Sequence, residues 1–226
     1  QGKFGRYNEN DVRWLAAIGT DYGAVIVADA SPFKTLKDLV AAIKADPTKV
    51  VFGAGGTVGS QDWMKAALTA KAAGLDPRKM RFVAFEGGGE ASTALQGGHV
   101  QVYSGDASEA EEQMKAGAKI RVLAVMADKR LEGGLANVPT AKEQGMDVEW
   151  PIIRGYYMGP KVSDADFKVW TDTFNKMMAT PEFAKLRAER SLFPFAKTGA
   201  DLDAYIKQRV ADYRKLAADF GLNVAK

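Results

Sequence analysis

Val50-Val51-Phe52 runs into Gly53-Ala54-Gly55-Gly56-Thr57-Val58-Gly59, and Ser60 then opens a stretch carrying Trp63, Met64, Ala67 and Leu68 at helical spacing. A β-branched run, a glycine-rich turn and an amphipathic helix together read as one βα unit. Ser60 is the natural N-cap, because its hydroxyl can accept from the free N–H groups of the first turn, and Gly74 stops the helix.

The same grammar recurs on both sides. Upstream, Ala24-Val25-Ile26-Val27-Ala28 ends at Ser31-Pro32. Thr35 then caps a helix with Leu36, Leu39, Val40 and Ile43 on one face, Asp38 completes an acidic capping box, and Pro47 ends the element. Downstream, Phe82-Val83-Ala84-Phe85 passes through Glu86-Gly87-Gly88-Gly89 into a short helix from Glu90 to Gln96. A strand from Val100 to Tyr103 passes through Ser104-Gly105-Asp106-Ala107-Ser108 into a polar helix with Glu111, Glu112 and Met114. Ile120 to Val125 reads as a strand buried on both faces of a parallel sheet. Beyond it, short extended pieces are expected around 148–150 and 155–158.

The tail reads as three helices. One starts at Ser163 and turns Phe167, Trp170, Phe174 and Met177 inward; a second starts at Thr180-Pro181; a third runs from Asp201 to Phe220 with Leu202, Tyr205, Ile206, Val210, Tyr213 and Leu216 inward, closed by Gly221. The whole pattern predicts a layered α/β fold.

Composition narrows the functional classes. Of 226 residues, 46% are hydrophobic and 10% aromatic, enough for a real core. No apolar run approaches the ~18 residues that would mark a membrane span. The absence of cysteine removes disulfides, thiolate nucleophiles and cysteine metal sites. Lys and Arg number 31 against 28 Asp and Glu, a net charge of +3 spread along the chain. Nucleic-acid binding normally needs a stronger and more localised basic footprint, whereas an anionic small ligand fits. Neither a cofactor nor a metal is expected.

In parallel sheets the loops after the strands gather at one edge, where helix-start N–H groups suit a carboxylate or phosphate. Gly53 to Gly59 does not read as a nucleotide loop: a G-x-G-x-x-G match from Gly53 fails at Val58, and Gly59-Ser60-Gln61 lacks the Lys-Ser or Lys-Thr of an ATPase loop. Two readings of it stand: a flexible turn with Ser60 as a simple cap, or an oxyanion site built from Gly55, Gly56, Gly59, Thr57, Ser60 and Gln61. Gly87, Gly88 and Gly89 pose the same choice. Asp106 either shapes the pocket, receives a ligand hydroxyl or ammonium, or caps its helix, with Ser104 beside it. Arg154, inside Ile152-Ile153-Arg154-Gly155, is a candidate carboxylate clamp or a lobe-boundary salt bridge. His99, the sole histidine, has no adjacent nucleophile, so an enzyme built on Ser60, His99 and Asp106 is the competing reading and no catalytic residue is assigned.

Asp29 to Leu39, Phe85-Glu86-Gly87-Gly88-Gly89-Glu90-Ala91, Arg121 to Val125 and Asn137-Val138-Pro139-Thr140 occur in an order that resembles the substrate-binding proteins of tripartite tricarboxylate transporters. The resemblance covers essentially the whole chain. It implies a periplasmic two-lobed clamshell of the type II binding-protein class, exported with a signal peptide in its precursor. It implies capture of a small carboxylate, citrate or a related tricarboxylate first, with dicarboxylates or acidic amino acids as alternatives. It also implies delivery by a monomer to a membrane permease of large and small subunits, with no enzyme activity. The family's carboxylate-holding loops map onto Gly55 to Ser60, Gly87 to Gly89 and Ser104 to Asp106, and Arg154-Gly155 resembles the tricarboxylate-associated branch. Family members carry more chain before the position of Gln1, so the N-terminal part of the first lobe is expected to be missing. The expected division is 1–27 as part of lobe one, 28–124 as lobe two, and 125–226 as the hinge return with the remainder of lobe one.

Overall fold

A computed structural model describes residues 7–222. They fall into two compact units: a central unit, Asp21–Ile152, and a terminal unit formed by the chain up to Thr20 together with the chain from Ile153 onward. One long strand, β1 (Arg13–Ala28), contributes to both.

In the central unit the sheet runs in the order β3, β2, β4, β1, β5, where β2 is Val51–Gly55, β3 Arg81–Phe85, β4 Val102–Asp106 and β5 Ile120–Val125. β2 is parallel to β3, with Gly55 opposite Phe85, and parallel to β4, with Phe52 opposite Val102. β1 is antiparallel to β4, with Gly23 opposite Asp106, and antiparallel to β5, with Ala24 opposite Val125. The continuous apolar run of β5 thus reflects burial rather than a parallel neighbour: in an antiparallel pair, too, both faces of a strand can be covered.

The helices follow local signals. α1 (Leu36–Ala45) starts at a complete capping box: Thr35 Oγ1 accepts from the Asp38 N–H at 3.1 Å and Asp38 Oδ2 accepts from the Thr35 N–H at 2.8 Å. It buries Leu36, Leu39 and Ile43. α2 (Gln61–Ala72), α3 (Gly88–Gln96) and α4 (Ala107–Lys115) follow β2, β3 and β4. α2 is buried on more than its apolar face, since Asp62, Lys65 and Thr69 are covered along with Trp63, Met64 and Ala67.

The central unit is wider than the 28–124 expected for lobe two. At its start, Ala24 to Ile26 are already paired with both β4 and β5. At its end, Trp150 stays with the sheet: its N–H donates to Met126 O at 2.8 Å, and its carbonyl accepts from Gly23 N–H at 2.9 Å.

The terminal unit sets β6 (Pro151–Met158) and the short β7 (Lys197–Thr198) against β1, with Ala16 opposite Thr198. β6 is one strand rather than two pieces. Pairing with β1 carries it through Gly155, where any Cβ would collide with the Ala16 carbonyl. α5 (Asp164–Met178) and α6 (Pro181–Glu189) are capped by Ser163 and Thr180, and α7 (Gly199–Asp219) buries Leu202 and Ala217. Phe167 and Phe174 are half-buried, but Trp170 and Met177 on the same expected face are 49% and 37% exposed. The expected inward stripe is therefore only partly covered.

Candidate functional site

β2, β3 and β4 run the same way, so the turns that open α2, α3 and α4 collect at one edge of the sheet. The first two turns touch. The Gly56 N–H donates to the Phe85 carbonyl at 2.7 Å, and a Cβ on Gly55 would lie 3.4 Å from Gly87 Cα. Gly56 and Gly59 hold φ of +77° and +87°, a left-handed backbone that glycine adopts without strain. Thr57 and Gln61 are exposed on this loop.

Ser60 binds its own loop from both sides of its hydroxyl. It accepts from the Trp63 N–H at 3.2 Å and donates to the Gly55 carbonyl at 2.9 Å. The single hydroxyl proton is therefore spent inside the protein, and the expected donation from Ser60 to a ligand has no proton to make it. The Gln61 and Asp62 amides, in the first turn of α2, have no intrahelical acceptor. The start of α3 is barer still, because Gly87 provides no side-chain cap for the Gly88, Gly89 and Glu90 amides. A Cβ on Gly87 or Gly89 would meet nothing within 4 Å, so the backbone there is open to approach. Two adjoining helix starts thus present unpaired N–H groups and positive dipole ends in one place.

The third turn differs because the protein satisfies it internally. Asp21, buried on β1, accepts from the Ser108 N–H at 3.1 Å and from the Ser108 hydroxyl at 2.5 Å, so a protein carboxylate already occupies the start of α4. Asp106 does not cap α4; its Oδ1 lies 2.6 Å from Lys65 Nζ. Lys65 is fully buried and pairs also with Asp62 Oδ1 at 2.7 Å, while Asp62 Oδ2 accepts from the Gly55 N–H at 3.0 Å. Ser104 is fully buried within β4. The side chains of Ser104 and Asp106, candidates for ligand contact, are both buried. Sequence reading missed Asp62, Lys65 and Asp21; the one local signal was the three-residue spacing of Asp62 and Lys65, which puts both on one helix face.

Charge around this edge is mostly negative. Burial pushes the Asp62 carboxyl above the usual carboxylate range against the pull of Lys65. Burial likewise raises Asp21, and it raises Glu109 together with the nearby charges of Asp106 and Asp62. The Tyr103 hydroxyl, buried and donating to Glu109 at 3.4 Å, is held above its ordinary value for the same reasons. The Glu109 carboxylate and the Tyr103 hydroxyl stand directly where a Cβ on Gly88 would be.

Two further candidates stand on other elements. His99 is exposed and precedes β4, at the opposite end of the parallel strands from Ser60 and Asp106, so Ser60, His99 and Asp106 are not brought together. Arg154 is half-buried on β6, in the chain of the terminal unit.

Solved structures share this α/β fold. A TctC solute-binding protein from Polaromonas, solved with no ligand, superposes with a TM-score of 0.74 at 24% identity, over 95% of this chain and 72% of that one. Rpa4515 of R. palustris, solved with adipate, superposes with a TM-score of 0.81 at 19% identity, over 95% and 71%. The fold is the two-lobed α/β fold of periplasmic binding proteins, consistent with the type II clamshell class. Residues 6–222 match the tripartite tricarboxylate transporter family receptor, TctC, and the chain belongs to that family. A Cupriavidus necator relative, the UPF0065 protein in the gbd 5′ region, is 26% identical over 92% of this chain, and the chain spans 61% of that relative's length.

Proposed function

We propose that this chain is the ligand-capturing part of a periplasmic receptor that binds a small carboxylate and delivers it to a tripartite membrane transporter with a large and a small permease subunit. The observation that carries this reading is the pair of touching turns at the starts of α2 and α3, whose amides are left to an outside acceptor. Family membership supports the transport role and the periplasmic setting. Capture without conversion fits the separation of His99 from Ser60 and Asp106.

The ligand we favour is a di- or tricarboxylate. Citrate is the first candidate, as the tricarboxylate branch would have it, and adipate stands beside it because a protein of the same fold was solved with adipate. Isothermal titration of the protein against citrate, malate, succinate and adipate tests this. Saturable binding of one acid, lost when its carboxylates are replaced by amides, is the expected result. No saturable binding across the four acids would overturn it.

A further inference from the structure

Glu109 stands beside the amides that the carboxylate reading assigns to the ligand. It lies in the first turn of α4, yet its carboxyl reaches the first residue of α3: a Cβ on Gly88 would collide with Glu109 Oε2 and with the Tyr103 hydroxyl. Glu109 is exposed, so solvent and ligand reach it, while Tyr103 beneath it is buried. The Tyr103 hydroxyl, 3.4 Å from Oε2, is its one hydrogen-bond partner among the described residues. The protein thus sets a side-chain carboxyl next to an open helix start without tying it to the amides there.

We propose that Glu109 is a specificity-determining residue of the carboxylate site: as an acid settles on the Gly88 and Gly89 amides, Glu109 takes up a proton from solvent and donates it to the acid's carboxylate. This role rests on the carboxylate reading above. Two carboxylates placed side by side cannot both stay ionised, and a shared proton turns their repulsion into a short O–H···O bond. The Tyr103 hydroxyl donates to Oε2, which leaves Oε1 as the oxygen to carry the proton. The surroundings favour the protonated form, through crowding by protein atoms first and then through the charges of Asp106 on β4 and Asp62 on α2. Lys65 opposes them, but its ammonium is shared between both aspartates. Of the other carboxyls nearby, Asp21 on β1 holds Ser108, Glu90 on α3 accepts from the Glu86 N–H at 3.1 Å, and Glu111 on α4 holds Lys115 and the Gly134 N–H. A carboxylate is a strong acceptor for the Glu109 proton; an amide or ester in its place is a weak one and leaves Glu109 to ionise.

The test titrates citrate, malate, succinate and adipate into wild type, Glu109→Gln and Glu109→Ala. Wild-type affinity should fall about tenfold between about pH 6.5 and about pH 8.5, because binding that takes up a proton weakens as protons become scarce. Glutamine keeps a donor and carries no charge, so its profile should be level and its affinity above wild type at the upper end. Any titration of the acid itself is common to both proteins, and the difference between the profiles belongs to Glu109. Alanine has no donor, so it should bind more weakly than glutamine at every pH. Calorimetry in buffers of different ionisation heat should show about one proton taken up per acid by the wild type and none through this group in Glu109→Gln. Parallel profiles for wild type and glutamine, or an alanine variant as tight as glutamine, would overturn the proposal.

Carbon-13 NMR of the Glu109 carboxyl keeps the two readings apart. Its titration in the free protein should lie above that of an ordinary glutamate and should move higher when the acid is bound. If an acid binds and this titration does not move, the carboxylate reading stands and the role of Glu109 falls alone. If none of the four acids binds any of the three proteins, the carboxylate reading fails and the proposal fails with it.

Discussion

The Ser60 hydroxyl donates to the Gly55 carbonyl at 2.9 Å while accepting from the Trp63 N–H at 3.2 Å, so one side chain closes the turn after β2 and caps α2. Ser60→Ala removes both bonds. It should cost about 1 to 2 kcal/mol, the upper part of the range for losing an N-cap. Ser60→Thr keeps a hydroxyl in place and should stay within about 0.5 kcal/mol of wild type. Urea unfolding of the three proteins measures both differences. An alanine variant as stable as wild type would show that the hydroxyl serves something outside the turn.

Gly88 is packed where no side chain fits, against the Glu109 carboxylate and the buried Tyr103 hydroxyl. Gly88→Ala must displace one of them, and Tyr103 has no room to yield because its ring is 1% exposed. Overpacking of this kind should lower stability by about 1 to 3 kcal/mol. Combining it with Glu109→Ala opens space on one side and should recover part of the loss. Recovery is read as the non-additive part of a double-mutant cycle, and strict additivity would mean the two positions do not meet.

Much of the fold was legible because its signals are local. Thr35, Ser60, Ser163 and Thr180 each stand immediately before a helix and each accepts from the N–H three residues on. The turns around Gly55 and Gly87 were legible for the same reason. The Lys65–Asp106 ion pair and the Asp21–Ser108 hydrogen bonds under them were not, because the partners are 41 and 87 positions apart. Only tertiary packing brings those groups together, and a lysine or an aspartate on a helix reads by default as solvated. Trp170 and Met177 failed for a complementary reason: helical spacing shows that an apolar face exists, not that a neighbour covers it.

Arg13 organises the entry to α5 in the terminal unit. Its Nη1 donates to the Val162 carbonyl at 2.6 Å, its Nη2 lies 2.9 Å from Asp164 Oδ1, and its guanidinium carbon stands 4.1 Å from the centre of the Phe167 ring. The ion pair with the exposed Asp164 contributes little in water, so the bond to the carbonyl and the stacking carry the effect. Arg13→Lys loses the planar fork and should destabilise by about 1 to 2 kcal/mol, whereas Asp164→Ala should change little. Thermal melting of both variants checks the ranking, and equal shifts would transfer the role to the ion pair.

The pH dependence of stability follows from two opposed sets of carboxyls. Asp21, Asp62 and Glu109 are raised, in each case chiefly by burial, so the folded protein keeps protons on them that the unfolded chain has already released. Stability from this set is full below the ordinary carboxylate values, falls as pH rises toward the raised ones, and is level above them. Asp38 and Glu143 are lowered by backbone N–H groups at Thr35 and Thr140, and Asp46 and Asp76 by the side chains of Thr48 and Arg78. Their contribution is present above the ordinary values and is lost as pH falls through the lowered ones. Stability should therefore peak in mild acid, near the ordinary carboxylate values, and decline toward neutrality. Asp21→Asn removes one raised group while its amide can still pair with the Ser108 hydroxyl and N–H, so the decline toward neutral pH should become shallower. Urea unfolding from about pH 4 to about pH 8 measures both slopes. A wild-type stability that climbs steadily across this range, or an Asp21→Asn slope identical to wild type, would show that these buried carboxyls do not retain their protons in the folded state.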